Sequence, residues 1–288
     1  MTMHLGHFAG TVSIFVLSLG NPALAETLSK TVGDDIIAAQ RAALAAATAG
    51  AGFGPQSPRD IDSADGANKR VFGAAPPSTS MNLCNIHFHE NAEHRGGRFT
   101  RFAGNGNGEG AGTGFAYDGD LTEAELTPIA APLGQGHYGS LQSGDTIEVH
   151  YVYSTANIAP GPTLASCLSE AIGNPQLRVE AQVMVLVNDE TAADFLELAA
   201  VAEVDGLYQA VNIPDDTGTP VTYAGSTTGP GYNEKGSPFQ VTWNVRPDIV
   251  KVDINTIGTW LQNNVFEEDH AHGVRNLVTN PDLLSPIN

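Results

Sequence analysis

The chain contains five segments with the short apolar or alternating patterns of β-strands, and these restrict its fold more than any other feature. Residues 146–154 alternate polar or charged side chains with Ile147, Val149 and Tyr151, which is typical of a strand with one buried face. Residues 177–187 have the pattern of a strand buried on both faces. The remaining segments are 82–89, 239–245 and 249–254. With 32 Gly and 17 Pro residues to supply turns, the sequence predicts a mainly β fold: a single domain built on a large twisted, mostly antiparallel sheet with a few short peripheral helices.

The chain before residue 81 has a different composition. Residues 8–19 are mostly apolar and lead to an A-x-A-like end at Ala25, so residues 1–25 are predicted to be a secretory signal peptide. That apolar run is too short for a membrane-spanning helix. Residues 26–80 are expected to form an N-terminal helix and then an extended segment that wraps the main domain, which covers 81–288. An exported protein, periplasmic or extracellular, is therefore expected.

The charge balance excludes some partners. The chain has 13 Lys and Arg against 32 Asp and Glu, for a formal net charge of −19. Such a surface repels phosphate backbones and anionic lipid headgroups, so neither nucleic acid nor, after signal cleavage, a membrane is an expected partner. Export places Cys84 and Cys167 in an oxidising compartment, where one disulfide is the expected state and two buried thiols are the alternative.

Three histidines are spaced to form a metal site. His87 and His89 lie two residues apart in a strand pattern, which puts both imidazoles on one face while Phe88 points to the other. His150 lies in a second alternating segment, two residues after Glu148. Three neutral imidazoles leave the fourth position of a tetrahedral zinc open, as in catalytic sites. Glu148 is placed to orient a ligand imidazole through its second nitrogen.

Two alternatives to this ligand set remain open. His94 competes with His150 as the third ligand, but it lies in a predicted turn where its geometry is less restricted. In the interpretation without a metal, His87 and His89 are polar strand residues that face solvent, and His150 is a buried histidine with hydrogen-bond partners.

Five segments together resemble a known family. The segment CNIHFH (84–89), followed by Glu93 and His94, resembles the HFHW…SEH stretch of alpha-type carbonic anhydrases, and EVHYVYST (148–155) resembles their ELHLVHWNT strand. Three further segments fall in the family's order: QSPRDI (56–61), YAGSTTGP (223–230) and VTWNV (241–245). The cysteine positions, an insertion at 231–236 and the segment DHAHGVR (269–275) make the chain more similar to the delta class of marine algae and its bacterial relatives.

The resemblance implies a function and a cofactor. It implies reversible hydration of carbon dioxide to bicarbonate and a proton, with Zn²⁺ bound by His87, His89 and His150 and zinc-bound hydroxide as the nucleophile. Co²⁺ or Cd²⁺ could replace zinc, because ligand type alone does not determine the metal. The expected partner is therefore a small-molecule substrate, carbon dioxide or bicarbonate.

The resemblance also assigns residues around the metal. Thr227 matches the family's threonine that accepts the proton of the hydroxide and donates to a buried glutamate, and Glu93 matches that glutamate. One residue is missing before Thr227, which leaves Thr228 as a substitute. Glu148 matches the glutamate that holds a ligand imidazole.

The remaining assignments concern the cavity. Val185 and Val187 lie on the strand that matches the family's apolar pocket wall. No residue matches the family's proton shuttle; His137 is a candidate, and His270 and His272 are expected to cap or line the cavity.

Two other functions fit the same residues. His87, His89 and Glu93 also match the HxHxxxE part of a cupin, which suggests an iron dioxygenase or an isomerase, although the proline of the second cupin motif is missing near Gly144. A non-catalytic metal-binding envelope protein is the third interpretation. Such relatives usually lack a ligand histidine, whereas this chain has all three.

Overall fold

A computed structural model describes residues 31–227 and 231–287 of the chain. Its strands are β1 (Asn82–Glu90), β2 (Arg101–Asn105), β3 (Thr113–Ala116), β4 (Leu133–Gly136), β5 (Gly139–Leu141), β6 (Thr146–Ser154), β7 (Leu177–Val187), β8 (Val201–Val204), β9 (Leu207–Ala210), β10 (Val221–Ser226) and β11 (Gln240–Asp253). The α-helices are α1 (Asp34–Thr48), α2 (Phe195–Leu198) and α3 (Ile254–Gln262). Single 3₁₀ turns lie at Ser78–Ser80, Leu164–Cys167 and Pro281–Leu283.

The centre of the fold is a five-stranded sheet in the order β1-β6-β7-β11-β10. The pairs β1–β6, β6–β7 and β10–β11 are antiparallel, and β7–β11 is parallel. Three two-stranded sheets, β2–β3, β4–β5 and β8–β9, pack around it. The mainly β fold with a large, mostly antiparallel sheet and short peripheral helices is confirmed.

Both faces of the central sheet are buried. One face packs Phe88, Val149 and Tyr151 into a core that includes α3. The other face carries Val152, Val179 and Trp243 in a second core. Because successive side chains of a strand alternate between faces, the histidines of β1 and β6 lie on the second face.

The segments predicted as two strands, 239–245 and 249–254, form the single strand β11. Its pairing with β7 shifts register between Val245 and Ile249. Pro247 lies in this interval and has no backbone N–H to give to the ladder, so the hydrogen bonding is interrupted and then resumes. The interval between the two predicted strands is therefore an irregularity within a single strand.

Two peripheral segments are fastened to the sheet. Residues 272–274 run beside the outer edge of β1, where His272 N donates to Phe88 O (2.9 Å) and Glu90 N donates to His272 O (3.0 Å). The segment after α1 is held near β10, since Ser57 Oγ donates to Ser226 O at 2.7 Å.

The predicted disulfide between Cys84 and Cys167 is confirmed. It joins β1 to the 3₁₀ turn Leu164–Cys167. The predicted signal peptide, 1–25, lies outside the described residues. Within the described ranges, no helix has the length and apolar character needed to cross a membrane.

Candidate metal centre

The pairing of β1 with β6 brings three histidines together. In the antiparallel register His87 lies opposite His150, and His89 lies opposite Glu148. One nitrogen from each of His87, His89 and His150 lies within 4.8 Å of the others. The ring centroids are 4.8–5.3 Å apart. Two neighbouring strands thus present three imidazoles from one rigid surface.

A hydrogen bond holds one ring nitrogen of each histidine. The bonds join His87 Nδ1 to Asn85 Oδ1 (2.6 Å), His89 Nδ1 to Gly273 O (2.9 Å) and His150 Nε2 to Glu148 Oε1 (2.9 Å). Each partner atom is an oxygen that accepts, so each of these nitrogens carries the ring proton. The nitrogens left with a lone pair are His87 Nε2, His89 Nε2 and His150 Nδ1.

These three nitrogens fit a metal cation. His89 Nε2 is buried and has no hydrogen-bond partner among the described residues, and His150 Nδ1 lies only 3.3 Å from His87 Nε2. Burial lowers the pKa of His89 to about 4. Burial and the adjacent His150 hold the pKa of His87 well below its usual value. Neutral imidazoles with convergent lone pairs are the ligands that zinc takes in catalytic sites.

A buried carboxylate links this site to the interior. Glu148 has no solvent exposure, and its Oε1 accepts from both His150 Nε2 and His94 Nδ1 (2.6 Å). Its Oε2 accepts from His94 N at 3.0 Å. Burial alone would raise the pKa of Glu148, but His94 and His150 together hold it well below its usual value. Glu148 is therefore an anion that accepts three hydrogen bonds.

His94 lies behind Glu148, away from His87 and His89. Its Nε2 faces Tyr223 Oη at 2.6 Å, and burial keeps the pKa of Tyr223 well above its usual value, so the phenol is the donor. Both ring nitrogens of His94 are thus occupied. His94 and Glu148 also lie close enough to His150 to form a second group of metal-type ligands, but these hydrogen bonds account for that group. The structure brings His150, and not His94, to the other two histidines.

Thr227 lines the site, whereas Glu93 is buried beside His89, and no hydrogen bond joins the two side chains. Glu93 is fully buried; its Oε1 lies 3.7 Å from His89 Nδ1, and its Oε2 has no partner among the described residues. Thr227 Oγ1 is hydrogen-bonded to Ser237 Oγ at 3.1 Å. Ser237 directly follows the insertion 231–236, so the partner of Thr227 lies in the short segment between this insertion and β11. Thr228 lies outside the described residues.

A cavity of about 430 Å³ opens over the three imidazoles. Its apolar wall includes Val152, Leu164, Val179 and Trp243. The predicted wall residues, Val185 and Val187, are fully buried and do not line it.

The register of β6 with β7 explains which valines line the cavity. Val179 lies opposite Val152, on the cavity side of His150, whereas Val185 lies opposite Thr146, on the far side of Glu148. Val185 and Val187 were assigned to the wall by resemblance alone, because a single sequence does not reveal this register.

The mouth of the cavity carries further polar groups. The His272 ring lies 5.3 Å from the His87 ring, and its Nε2 is 2.7 Å from Glu268 Oε2. His270 stacks beside His272 at 5.8 Å and does not itself line the cavity. His137 is 67% exposed, 3.9 Å from Glu109 Oε2. His272 is thus the histidine of this group that borders the site.

The sequence reasoning missed several residues of the site. Asn85 was detectable, because it lies two residues before His87 and so shares its face of β1. The Gly273 carbonyl gave no signal, since it reaches His89 from 184 residues away. Arg275 also lines the cavity, but the sequence assigned it no role beyond its place in the segment DHAHGVR (269–275).

Comparison with known proteins identifies one matching family. A family model described as delta carbonic anhydrase matches residues 78–256, a range that contains all three histidines. No curated protein matches the chain.

Three carbonic anhydrases of known structure are remote matches to the chain. An alpha-carbonic anhydrase of Photobacterium profundum is 16% identical, with a TM-score of 0.27, over 80% of this chain and 89% of that chain. A hyperthermostable carbonic anhydrase from an active hydrothermal vent chimney is 14% identical (TM-score 0.28; 78% and 85% covered). A halotolerant carbonic anhydrase from Dunaliella salina is 15% identical (TM-score 0.26; 77% and 85%). Matches with TM-scores this low do not establish a relationship, so the family assignment rests on the match over residues 78–256.

Proposed function

This chain belongs to the delta carbonic anhydrase family, so its reaction is the hydration of carbon dioxide, and we propose that it performs this reaction with Zn²⁺ held by His87, His89 and His150. The observation that carries the proposal is the convergence of three unprotonated imidazole nitrogens within 4.8 Å at the floor of a cavity. When bound, zinc supplies the Lewis acidity that makes water nucleophilic near neutral pH, an effect for which carbonic anhydrases are the usual example.

The chain's own residues orient the ligands. Asn85, Gly273 and Glu148 each accept a hydrogen bond from the protonated ring nitrogen of one histidine. These bonds determine the orientation and the tautomer of each ring. The anionic Glu148 also makes the His150 ring a stronger donor to a cation. These contacts assemble the site before a metal enters it.

We assign Thr227 and Glu93 to orienting the reacting water. Thr227 is a buried hydroxyl that lines the cavity, and its bond to Ser237 holds the side chain in one position. Glu93 Oε2 is a buried acceptor with no partner among the described residues, so a proton donor at the cavity wall would satisfy it.

We assign the apolar wall to binding carbon dioxide. Val152, Val179 and Trp243 form a surface with few hydrogen-bonding groups beside the imidazoles. An uncharged linear molecule loses little solvation there, whereas an ion would lose much more. The wall therefore holds the substrate near the nucleophile without competing for it.

Metal analysis combined with stopped-flow kinetics tests the function. We expect stoichiometric zinc and rapid carbon dioxide hydration in the wild type, and the loss of both in His150→Ala. His137→Ala is the matched control for metal binding, because His137 is 67% exposed and lies 3.9 Å from Glu109 Oε2; it should keep zinc. Hydration that survives in His150→Ala would contradict the ligand assignment, and bound iron without hydration would support a cupin-type enzyme instead.

We also propose that the protein is exported. The disulfide between Cys84 and Cys167 supports this, because disulfides persist in oxidising compartments. N-terminal sequencing of the protein recovered from its native cell should begin at Glu26. A mature chain that retains residues 1–25 in the cytoplasm would contradict export.

A further inference from the structure

Arg275 places a buried, almost unpaired cation in the wall of the catalytic cavity. It is 7% exposed and lines the cavity together with the three histidines. The hydrogen bond from its guanidinium group is long, from Nη1 to Ser57 O at 3.4 Å, and its Nε is buried without a partner among the described residues. Tyr232 covers one face, 5.3 Å from ring centroid to guanidinium carbon.

The other strongly buried arginines show how this chain normally satisfies such a group. The Arg59 guanidinium donates to the carbonyl oxygens of Asp60, Ser63, Asp65 and Ser285. Arg178 donates to the carbonyls of Ala75 and Pro76 and pairs with Glu180. Both are structural arginines with their donors used. Arg275 differs from them because most of its five donors remain available.

The carboxylate of Glu93 lies close enough to favour the charged form of Arg275, but it leaves the guanidinium donors unused. Glu93 Oε1 accepts from the backbone N of Arg275 at 3.3 Å, and no carboxylate of residues 31–227 or 231–287 forms an ion pair with the guanidinium. Burial lowers the pKa of Arg275 to about 10, which still leaves a full positive charge at neutral pH. Buried guanidinium donors without acceptors are costly, so the arrangement favours a ligand that brings acceptor oxygens to Nε and the Nη atoms.

The surroundings of Arg275 indicate which anion it would bind. Arg275 is the one Lys or Arg among the described residues that line this cavity, in a chain whose net charge of −19 otherwise repels anions. The proposed reaction forms a small planar oxyanion in the same cavity. A guanidinium group matches the geometry of such an ion with two parallel donors.

We propose that Arg275 is an oxyanion-binding residue of the catalytic cavity and that its ligand is bicarbonate. The identity of the anion rests on the proposed function, but binding by the guanidinium does not require the metal. Arg275 would hold bicarbonate as it forms in hydration and would capture it in the reverse reaction.

Binding to the metal-free protein isolates this site from anion binding at zinc. Trp243 lines the cavity and is one of only two tryptophans, so in a Trp260→Phe background its fluorescence reports on the cavity. We would titrate bicarbonate at constant ionic strength and pH 8. We expect saturable binding that weakens about tenfold or more in Arg275→Gln and by less in Arg275→Lys, which keeps the charge but not the paired donors.

Arg101→Gln is the control for the loss of one positive charge, because Arg101 is exposed on β2 and does not line the cavity. Its affinity for bicarbonate should match that of the parent. Circular dichroism verifies folding, and Arg275→Lys decides the result if Arg275→Gln does not fold. Absent binding overturns the proposal, and so does a folded Arg275→Gln that binds bicarbonate like the parent. If Arg275→Gln does not fold, an Arg275→Lys variant that binds like the parent overturns it.

The outcome is separable from the test of the proposed function. Bicarbonate binding through Arg275 in a protein that takes up no zinc and hydrates no carbon dioxide would leave the anion site standing while the function fails. Zinc-dependent hydration together with Arg275 variants that bind bicarbonate like the parent would support the proposed function and overturn the anion site.

Discussion

Each ligand imidazole in this site depends on one oxygen atom that determines which ring nitrogen carries the proton. For His150 that atom belongs to Glu148, which also accepts two hydrogen bonds from His94. A glutamine has one acceptor oxygen in place of two, and its N–H₂ group is itself a donor that would be forced against one of these N–H donors. The buried network therefore has no arrangement that satisfies every member after this change.

Glu148→Gln is expected to weaken zinc binding about 10- to 100-fold, because the proton on His150 is no longer held at Nε2. Competition with a chromophoric chelator measures the affinity directly. Glu203→Gln, on an exposed position of β8, removes the same charge and should leave the affinity unchanged. Equal affinities in both variants would mean that other contacts hold His150 in its tautomer.

Asp145 gives the stability of the protein a defined pH dependence. It lies in the turn before β6, where burial raises its pKa from 3.8 to about 6, although Oδ2 accepts from Gln142 N. Because the pKa is higher in the folded chain than in the unfolded chain, the stabilising contribution of the protonated form is complete below about pH 4. It is then lost as the pH rises through 6.

Asp145→Asn keeps an acceptor oxygen for Gln142 N and does not ionise. The free energy of unfolding of the wild type, relative to this variant, should fall by about 2 kcal/mol between pH 4 and pH 7. Urea denaturation of both proteins with excess chelator measures this difference and cancels effects that they share. Parallel pH profiles would contradict the shifted pKa.

Among the secondary-structure elements, those that carry the metal ligands were the most predictable. Alternation predicted that His87 and His89 share one face of β1 and that His150 shares a face of β6 with Glu148, because side-chain direction in a strand follows from spacing alone. The pairing of β6 with β7 was not predictable, since both faces of these strands are buried and alternation does not specify the register. Val185 and Val187 were therefore placed too far along the strand.

The disulfide connects one wall of the cavity to the strand of the ligands. Cys167 ends the 3₁₀ turn whose Leu164 and Ala165 line the cavity, and Cys84 lies on β1. The same loop is held by Asn85, whose Nδ2 donates to Gly161 O (3.2 Å) while its Oδ1 accepts from His87. The loop and the His87 ring thus share one side-chain amide.

Replacing both cysteines by serine is expected to destabilise the protein by about 2–5 kcal/mol, since the disulfide closes a long loop, with a sequence separation of 83 residues. The zinc affinity should also fall, because a looser loop holds Asn85 and His87 less firmly. Denaturant unfolding and chelator competition measure the two effects. Lower stability with an unchanged zinc affinity would limit the disulfide to a purely structural role.

At the scale of the whole molecule, the contacts that complete the site come from distant parts of the chain. Gly273 and Arg275 reach β1 because residues 272–274 run along its outer edge, and nothing in their local pattern indicates that path. The family resemblance pointed to the three histidines, Glu148 and Thr227 as candidates. It did not indicate the hydrogen bond between Ser237 and the Thr227 hydroxyl, because the insertion that precedes Ser237 departs from the family pattern.

The net charge of −19 also acts at this scale, since like charges destabilise a compact chain by mutual repulsion. Raising the salt concentration shortens the Debye length from about 30 Å at 0.01 M to about 8 Å at 0.15 M. The melting temperature should therefore rise over this range.

The double variant Asp215→Asn/Asp216→Asn removes two exposed charges, so it should melt higher at low salt and respond less to added salt. Calorimetry in sodium chloride and in choline chloride separates screening from specific cation binding. A melting temperature that falls with salt would show that attractive ion pairs outweigh the repulsion.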